Sequence, residues 1–183
     1  MISSNDWKKF SNYFRTKLIF RLDETQPFIP DDTLQQNFEV PHKGFYVDII
    51  DSSGIQIALD GFLEENLNNV ILSADLTMDS VCEILKSKNI TVAKLHTSTF
   101  HFCIIFDVIY LPNPMAWDDK VDGVYFQWGQ RFKSFYLPHQ VKSLNMHKSD
   151  VLDRLCSSAG TVSNLWKLPE GLIFALKNES HTS

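Results

Sequence analysis

The chain has 183 residues, a length typical of one domain. Such a chain can bury roughly two thirds of its unfolded surface, so it needs neither disulfides nor metal to fold. Lys and Arg number 17 against 22 Asp and Glu, a formal charge of −5 that argues against a nucleic-acid binder. Hydrophobic residues make up 44% and charged residues 21%, which excludes a disordered chain. The unusual feature is an aromatic content of 13%, with 14 Phe but only 7 Gly. That implies a heavy core and no phosphate-cradling glycine loop. Cys82, Cys103 and Cys156 are odd in number and lack CxxC spacing, as expected of free thiols in a reducing, cytoplasmic setting. The N-terminus has no apolar signal region, and no run approaches ~18 apolar residues, so no membrane association is expected.

Trp7, Phe10, Phe14 and Leu18 recur at helical spacing and predict a helix from Asp6 to about Phe20, capped by Ser4 or Asn5. Pro27 and Pro30 predict a loop, with a turn starting at Asp31-Asp32-Thr33. Lys43-Gly44 opens a strand, Phe45 to Ile50. Asp51-Ser52-Ser53-Gly54 reads as a turn, and Ile55 to Asp60 as the returning strand of a hairpin. Simple alternation puts Phe45, Val47 and Ile49 on one face with Ile55, Ile57 and Leu59, and Tyr46, Asp48, Gln56 and Asp60 on the other. Two helices are predicted next, Leu63 to Leu72 and Asp79 to Lys88. Phe100 to Leu111 is the clearest strand: its even positions are all apolar, and its odd positions include His101, Cys103 and Asp107. Gly123 to Trp128 and Phe132 to Leu137 predict a second hairpin around Gly129-Gln130-Arg131. Ser149 is expected to cap a helix from Asp150 to Ala159, with Gly160 just past its end. A strand from Leu172 to Lys177 follows Gly171, and residues Asn178 to Ser183 are expected to fray. Helices do not alternate strictly with strands, and two connections are hairpins, so the expected class is α+β. A single domain, 1–183, is expected, with an antiparallel or mixed sheet and four or five helices.

The segment from Gly123 to Trp166 resembles the AMMECR domain family. Leu137-Pro138-His139-Gln140-Val141 stands where the family reads leucine-proline-glutamine-valine. Leu155-Cys156-Ser157-Ser158-Ala159-Gly160 stands where it reads leucine-cysteine-x-lysine-alanine-glycine. Trp166 follows Gly160 at the family spacing, and Leu172 to Leu176 matches the closing strand. Upstream, Gly44-Phe45-Tyr46-Val47 resembles the family's glycine-x-phenylalanine-valine. The family hallmark, leucine-arginine-glycine-cysteine-isoleucine-glycine, falls on Gln56-Ile57-Ala58-Leu59-Asp60-Gly61, where only Gly61 matches. The resemblance implies a two-lobed α+β fold with a cleft near the hallmark hairpin. It also implies an accessory role beside Memo-type and radical-SAM proteins. An arginine beside a cysteine would lower a thiol pKa, but Ile57 and Leu59 cannot act as cation and nucleophile.

Asp48 and Asp60 on one hairpin face are candidate acid–base carboxylates or cation ligands; the alternative is a solvated face. His101 and Cys103, two apart on one strand face, offer two metal ligands, with His96 and Asp107 nearby; the alternative is local packing. Cys156 lies on an apolar helical stripe and reads as an inert thiol. His139 is a candidate titrating group or an exposed loop residue. Trp117, Trp128, Phe132, Phe135 and Tyr136 make the second hairpin aromatic on both faces, which suggests a protein partner as one cover. No nucleophile elbow or helical zinc motif is present. The expected function is therefore a non-catalytic interaction or regulatory protein without a cofactor. The alternative is an enzyme or cofactor-handling accessory protein using Asp48, Asp60, His101 or His139 in a cleft.

Overall fold

The computed structural model describes residues 2–28, 34 and 38–183. The fold is α+β, with antiparallel strand pairs, two hairpins and flanking helices. It divides into two compact units, Met1–Ile104 with Glu179–Ser183, and Ile105–Asn178. Strands β3 (Thr99–Tyr110) and β6 (Gly171–Thr182) each pass from one unit into the other.

In the first unit, helix α1 spans Ser4–Leu22. Its cap is Ser3, not Ser4 or Asn5: the Ser3 hydroxyl accepts the Asp6 N–H at 3.1 Å and answers one orphan donor of the first turn. Trp7, Phe10, Phe14 and Leu18 are buried as the spacing predicts. Pro27 is outside any helix, whereas Pro30 and the turn predicted at residues 31–33 lie outside the described residues. Strands β1 (His42–Ile50) and β2 (Gln56–Leu67) form the first hairpin.

The helix predicted over residues 63–72 is not formed. Residues 63–67 continue β2, where Leu63 pairs with Gly44 and Leu67 with His42. Helix α2 begins only at Val70, capped by the Asn69 side chain on the Leu72 N–H, and runs to Ser87. It absorbs the second predicted helix. Short helix α3 (Val92–His96), capped by Thr91, carries no signal strong enough to have been read from the sequence.

Phenylalanines build this unit's core. Phe10 meets Phe102 edge to face at 5.1 Å and Phe14 meets it at 5.3 Å, with Phe45 stacked on Phe102 at 6.4 Å. Truncating a ring such as Phe10 or Phe102 to alanine would cost ~3–5 kcal/mol. The strand order here is β2-β1-β3, with the end of β6 beside β3. That end corrects the expectation of a frayed tail. Ser183 exchanges both backbone hydrogen bonds with Phe100, and Trp7 donates its indole N–H to Glu179 at 3.0 Å and stacks on His181.

In the second unit, β4 (Gly123–Trp128) pairs with β5 (Phe132–Tyr136) and with β6, in the order β3-β6-β4-β5. Helix α4 (Pro138–Leu144) directly follows the hairpin, and α5 (Lys148–Ser158) lies beyond it. His147 occupies the cap position predicted for Ser149, because the helix begins one residue earlier than Ser149. Val124, Phe126, Leu152, Leu155, Cys156 and Ile173 form the core with Trp117.

Candidate functional site

The hallmark segment sits on β2, and a bulge decides its chemistry. Ile50 pairs with Gln56, but Ile49 pairs with Ala58, so Ile57 is an extra residue on β2. Every later position is displaced by one from simple alternation. Asp60 stands opposite Val47 and Asp48 opposite Leu59. Residues directly opposite share a face, so Asp48 and Asp60 lie on opposite faces and are not the carboxylate pair expected. Asp48 is buried and accepts the Gln56 side-chain amide at 2.9 Å. Ile57 and Ala58 are also buried, and the Ile57 carbonyl accepts from Lys88 Nζ at 2.9 Å. The positions that carry arginine and glycine in the family are thus filled by apolar side chains held from behind.

The thiols are placed where they cannot ionise readily. Cys103 is 1% exposed, and burial pushes its thiol up to about 12 although the Ser180 hydroxyl lies 3.8 Å from Sγ. Cys82 and Cys156 are likewise buried and raised by desolvation. His101 shares the Cys103 face of β3, where its Nδ1 lies 2.9 Å from the Thr182 hydroxyl. Both candidate metal ligands therefore meet hydroxyls of β6. Among the described residues no three His, Cys, Asp or Glu side chains group as a metal site. Ile105 is also buried, so the odd face of β3 is covered at Cys103 and Ile105.

His139 is half-buried in the first turn of α4. Around it, the family-motif residues perform structural tasks. Pro138 occupies the first helical turn, where a missing N–H costs nothing. Gln140 Oε1 accepts the Leu137 N–H at 2.9 Å, and Leu137 and Val141 are buried. Ala159 is the C-cap of α5, and Gly160 follows in a left-handed conformation at φ +80°. Its N–H bonds the Ser157 carbonyl while the Thr161 N–H bonds Cys156, the paired closure that favours glycine at this position. Trp166 packs with Leu155 and Cys156 and donates its indole N–H to Asp153 at 2.6 Å. These positions shape α4, α5 and the turn after them, and none presents a reactive group.

The second hairpin is covered by α5 on one face only. Val124, Phe126, Ile173 and Ala175 face the core, and the Ser134 hydroxyl donates to the Leu155 carbonyl at 2.6 Å. Trp117 is in this core too, with its indole N–H buried and unpartnered among the described residues. The other face carries an aromatic row across three strands. Phe174 on β6 lies 5.7 Å from Tyr110 on β3 and 5.6 Å from Tyr125 on β4. Tyr110 is 50% exposed, and Phe174 and Tyr125 are half-buried. The sequence singled out Phe135 of this face, which stands opposite Tyr125, but missed Tyr110 and Phe174, which come from strands distant in sequence.

Two cavities of the first unit involve none of the four predicted catalytic candidates. One, of about 350 Å³, is lined by Glu39, Pro41, Asn68, Asn69 and Leu72. The other, of about 320 Å³, lies between α1 and the end of β6. No sequence signal marks it, because its polar helix face resembles any solvated face and residues 178–183 taken alone look like a loose tail.

No protein-family model matches the chain, and no curated protein matches it. Among solved structures, the crystal structure of the uncharacterized protein PH0010 from Pyrococcus horikoshii is similar, with a TM-score of 0.81. The match covers 100% of this chain and 93% of that one at 10% identity, so what is shared is the fold. No helix among the described residues is long and apolar enough to cross a membrane.

Proposed function

We propose that this chain is a divergent AMMECR-type domain acting as a non-catalytic interaction or regulatory protein inside a reducing compartment. The observation that carries the reading is the row Tyr110–Phe174–Tyr125, open on one face of the second unit while α5 seals the other. Half-exposed aromatic rings on a rigid sheet supply large contact area at low entropic cost, which suits a protein partner. Filling of the hallmark by Ile57 and Leu59 supports the same reading, because the cation and thiol of the family pattern are gone. Three buried, unpaired thiols suit the reducing location. An enzyme built on Asp48, Asp60, His101 and His139 has less support, since the two carboxylates face opposite sides of the hairpin.

The test is affinity purification of the tagged chain from its native cells, paired with a photo-crosslinking side chain at position 110. The expected result is one stoichiometric protein partner that also crosslinks at 110 and is lost in Tyr110→Glu. Ile55→Glu, at an exposed turn of the first unit, should retain it. Absence of a reproducible stoichiometric partner, or a partner indifferent to Tyr110→Glu, would overturn the reading.

A further inference from the structure

The cavity beside α1 has the composition of a ligand site rather than of a packing defect. Lys8, Ser11, Asn12 and Arg15 recur three and four residues apart and share one face of the helix. His181, Thr182 and Ser183 form the opposing wall. The volume, about 320 Å³, lies near the lower end of small-molecule pockets. No aspartate or glutamate side chain is among the lining residues, so the α-carboxylate of Ser183 is set against two cations, Lys8 and Arg15. The nearest acidic side chain of β6, Glu179, is occupied by the Trp7 indole N–H and the Ile2 backbone N–H.

Ser11 presents its hydroxyl to this cavity. It is 5% exposed, yet its hydroxyl makes no hydrogen bond among the described residues. A serine inside a helix ordinarily returns its hydroxyl to a carbonyl one turn back, as Thr16 does to Asn12 in this same helix at 2.8 Å. Ser11 instead faces the cavity, where its donor is left for solvent or a ligand. Neither the Lys8 ammonium nor the Asn12 side-chain amide has a partner among the described residues.

The rest of the wall is preorganised. The Arg15 guanidinium donates to the carbonyls of Leu95 at 2.8 Å and Ser98 at 3.0 Å and lies 4.2 Å over the Phe100 ring. It is held in place with two of its five N–H donors used in these bonds. The His181 ring lies flat on Trp7, 10° from parallel at 5.2 Å, and its pKa is lowered first by desolvation and then by the Lys8 charge. The imidazole therefore shares its surroundings with the Lys8 cation.

We propose that this cavity binds a small molecule through an oxyanion group, a phosphate or a carboxylate, received by Lys8, Ser11 and Asn12 against His181 and Arg15. Donors arrive from a helix face on one side and a strand end on the other, and a charged acceptor would answer each unused one. This site lies in the first unit and does not depend on the aromatic row.

The test is an NMR titration of the intact chain with inorganic phosphate and, separately, acetate, at constant ionic strength. The His181 ring resonances, assigned with His181→Gln, report occupancy. The expected result is a saturable shift in the millimolar range, accompanied by a rise in the His181 pKa as bound anion offsets Lys8. Lys8→Gln, at an exposed position, should weaken binding about tenfold, and Ser11→Ala by a few-fold. Saturation at lower phosphate than acetate identifies a phosphorylated ligand, and the reverse a carboxylic acid. A shift that stays linear into tens of millimolar for both anions, or one unchanged in Lys8→Gln, would overturn the proposal.

Discussion

Gly61 stands opposite Tyr46 across the first hairpin, and a methyl group on it would lie 2.4 Å from the Tyr46 ring and 2.2 Å from the Phe45 carbonyl oxygen. Its φ of +156° adds a conformation that side chains rarely adopt. The single hallmark position shared with the AMMECR pattern is thus required by strand packing. Gly61→Ala is expected to destabilise the chain by about 2–4 kcal/mol through combined strain and overpacking. Gly54→Ala is the control: it has φ +81° but open space around it, so only about 1 kcal/mol is expected. Urea midpoints of the two variants against wild type check the contrast.

Thiol reactivity should follow burial. Under native conditions a disulfide reagent should label none of the three cysteines quickly, and denaturant should expose all of them. Cys82 should react first, because Arg21 and Lys86 partly offset the desolvation that raises its pKa. Cys103, pushed up to about 12, should react last. Fast labelling of Cys103 in the folded chain would contradict its placement.

Acidification through the histidine range should destabilise the first unit. His42 is buried, with Nδ1 2.7 Å from the Val40 carbonyl and Nε2 2.9 Å from the Ser73 hydroxyl. Burial lowers its pKa from the ordinary 6.5 despite the Val40 contact. The unfolded chain therefore takes up a proton first. Stability is full above 6.5, falls as pH drops below it, and levels off below the lowered folded value. His181, lowered as well, adds a contribution of the same sign. His42→Gln should flatten this part of a stability-against-pH curve.

Asp51 governs a second, more acidic window. Its Oδ1 accepts the N–H groups of Ser53 and Ile55, both at 2.9 Å, and its Oδ2 meets Lys94 at 2.8 Å. The Lys94 ammonium first, and then the backbone donors, hold its carboxyl below the ordinary 3.8. That stabilisation is complete above 3.8 and is lost as pH falls through the lowered folded value. Asp51→Asn keeps the shape of the turn and removes the charge, so its acid unfolding limb should be shallower than that of the wild type.

Lys177 neutralises a buried carboxylate in the second unit. Both Asp122 oxygens lie within 2.8 Å of its Nζ, and Oδ2 also accepts the Asp118 N–H. The Asp122 side chain is 3% exposed, while Lys177 is 45% exposed and partly screened. Lys177→Met is expected to cost about 1–3 kcal/mol by stranding the charge. The double variant with Asp122→Asn should recover part of that loss in denaturant titrations.

Much of the fold is legible because its signals are local. Trp7, Phe10, Phe14 and Leu18 mark α1 by spacing alone, Asp51 to Gly54 mark a turn, and Gly160 ends α5 because few other residues tolerate its backbone. The fit of Leu137, Pro138, Gln140 and Val141 to a known motif is legible too, although the helix cap they build is visible only in three dimensions.

What remained hidden depends on partners remote in sequence. Leu63, Leu67, Val70 and Ile71 satisfy a helical period, yet pairing with His42 and Gly44 makes residues 63–67 a strand. The bulge at Ile57 puts Asp60 on the face opposite Asp48, since a slip of one residue turns every later side chain over. Residues 178–183 look like a loose end until Phe100 and Trp7 supply their partners, and only then do they become one wall of the cavity at Ser11. The sequence by itself determined the class, the hairpins and the inert hallmark residues. Register, tail and candidate ligand site were decided by tertiary structure, because each is a relation between segments whose own propensities are indifferent to it.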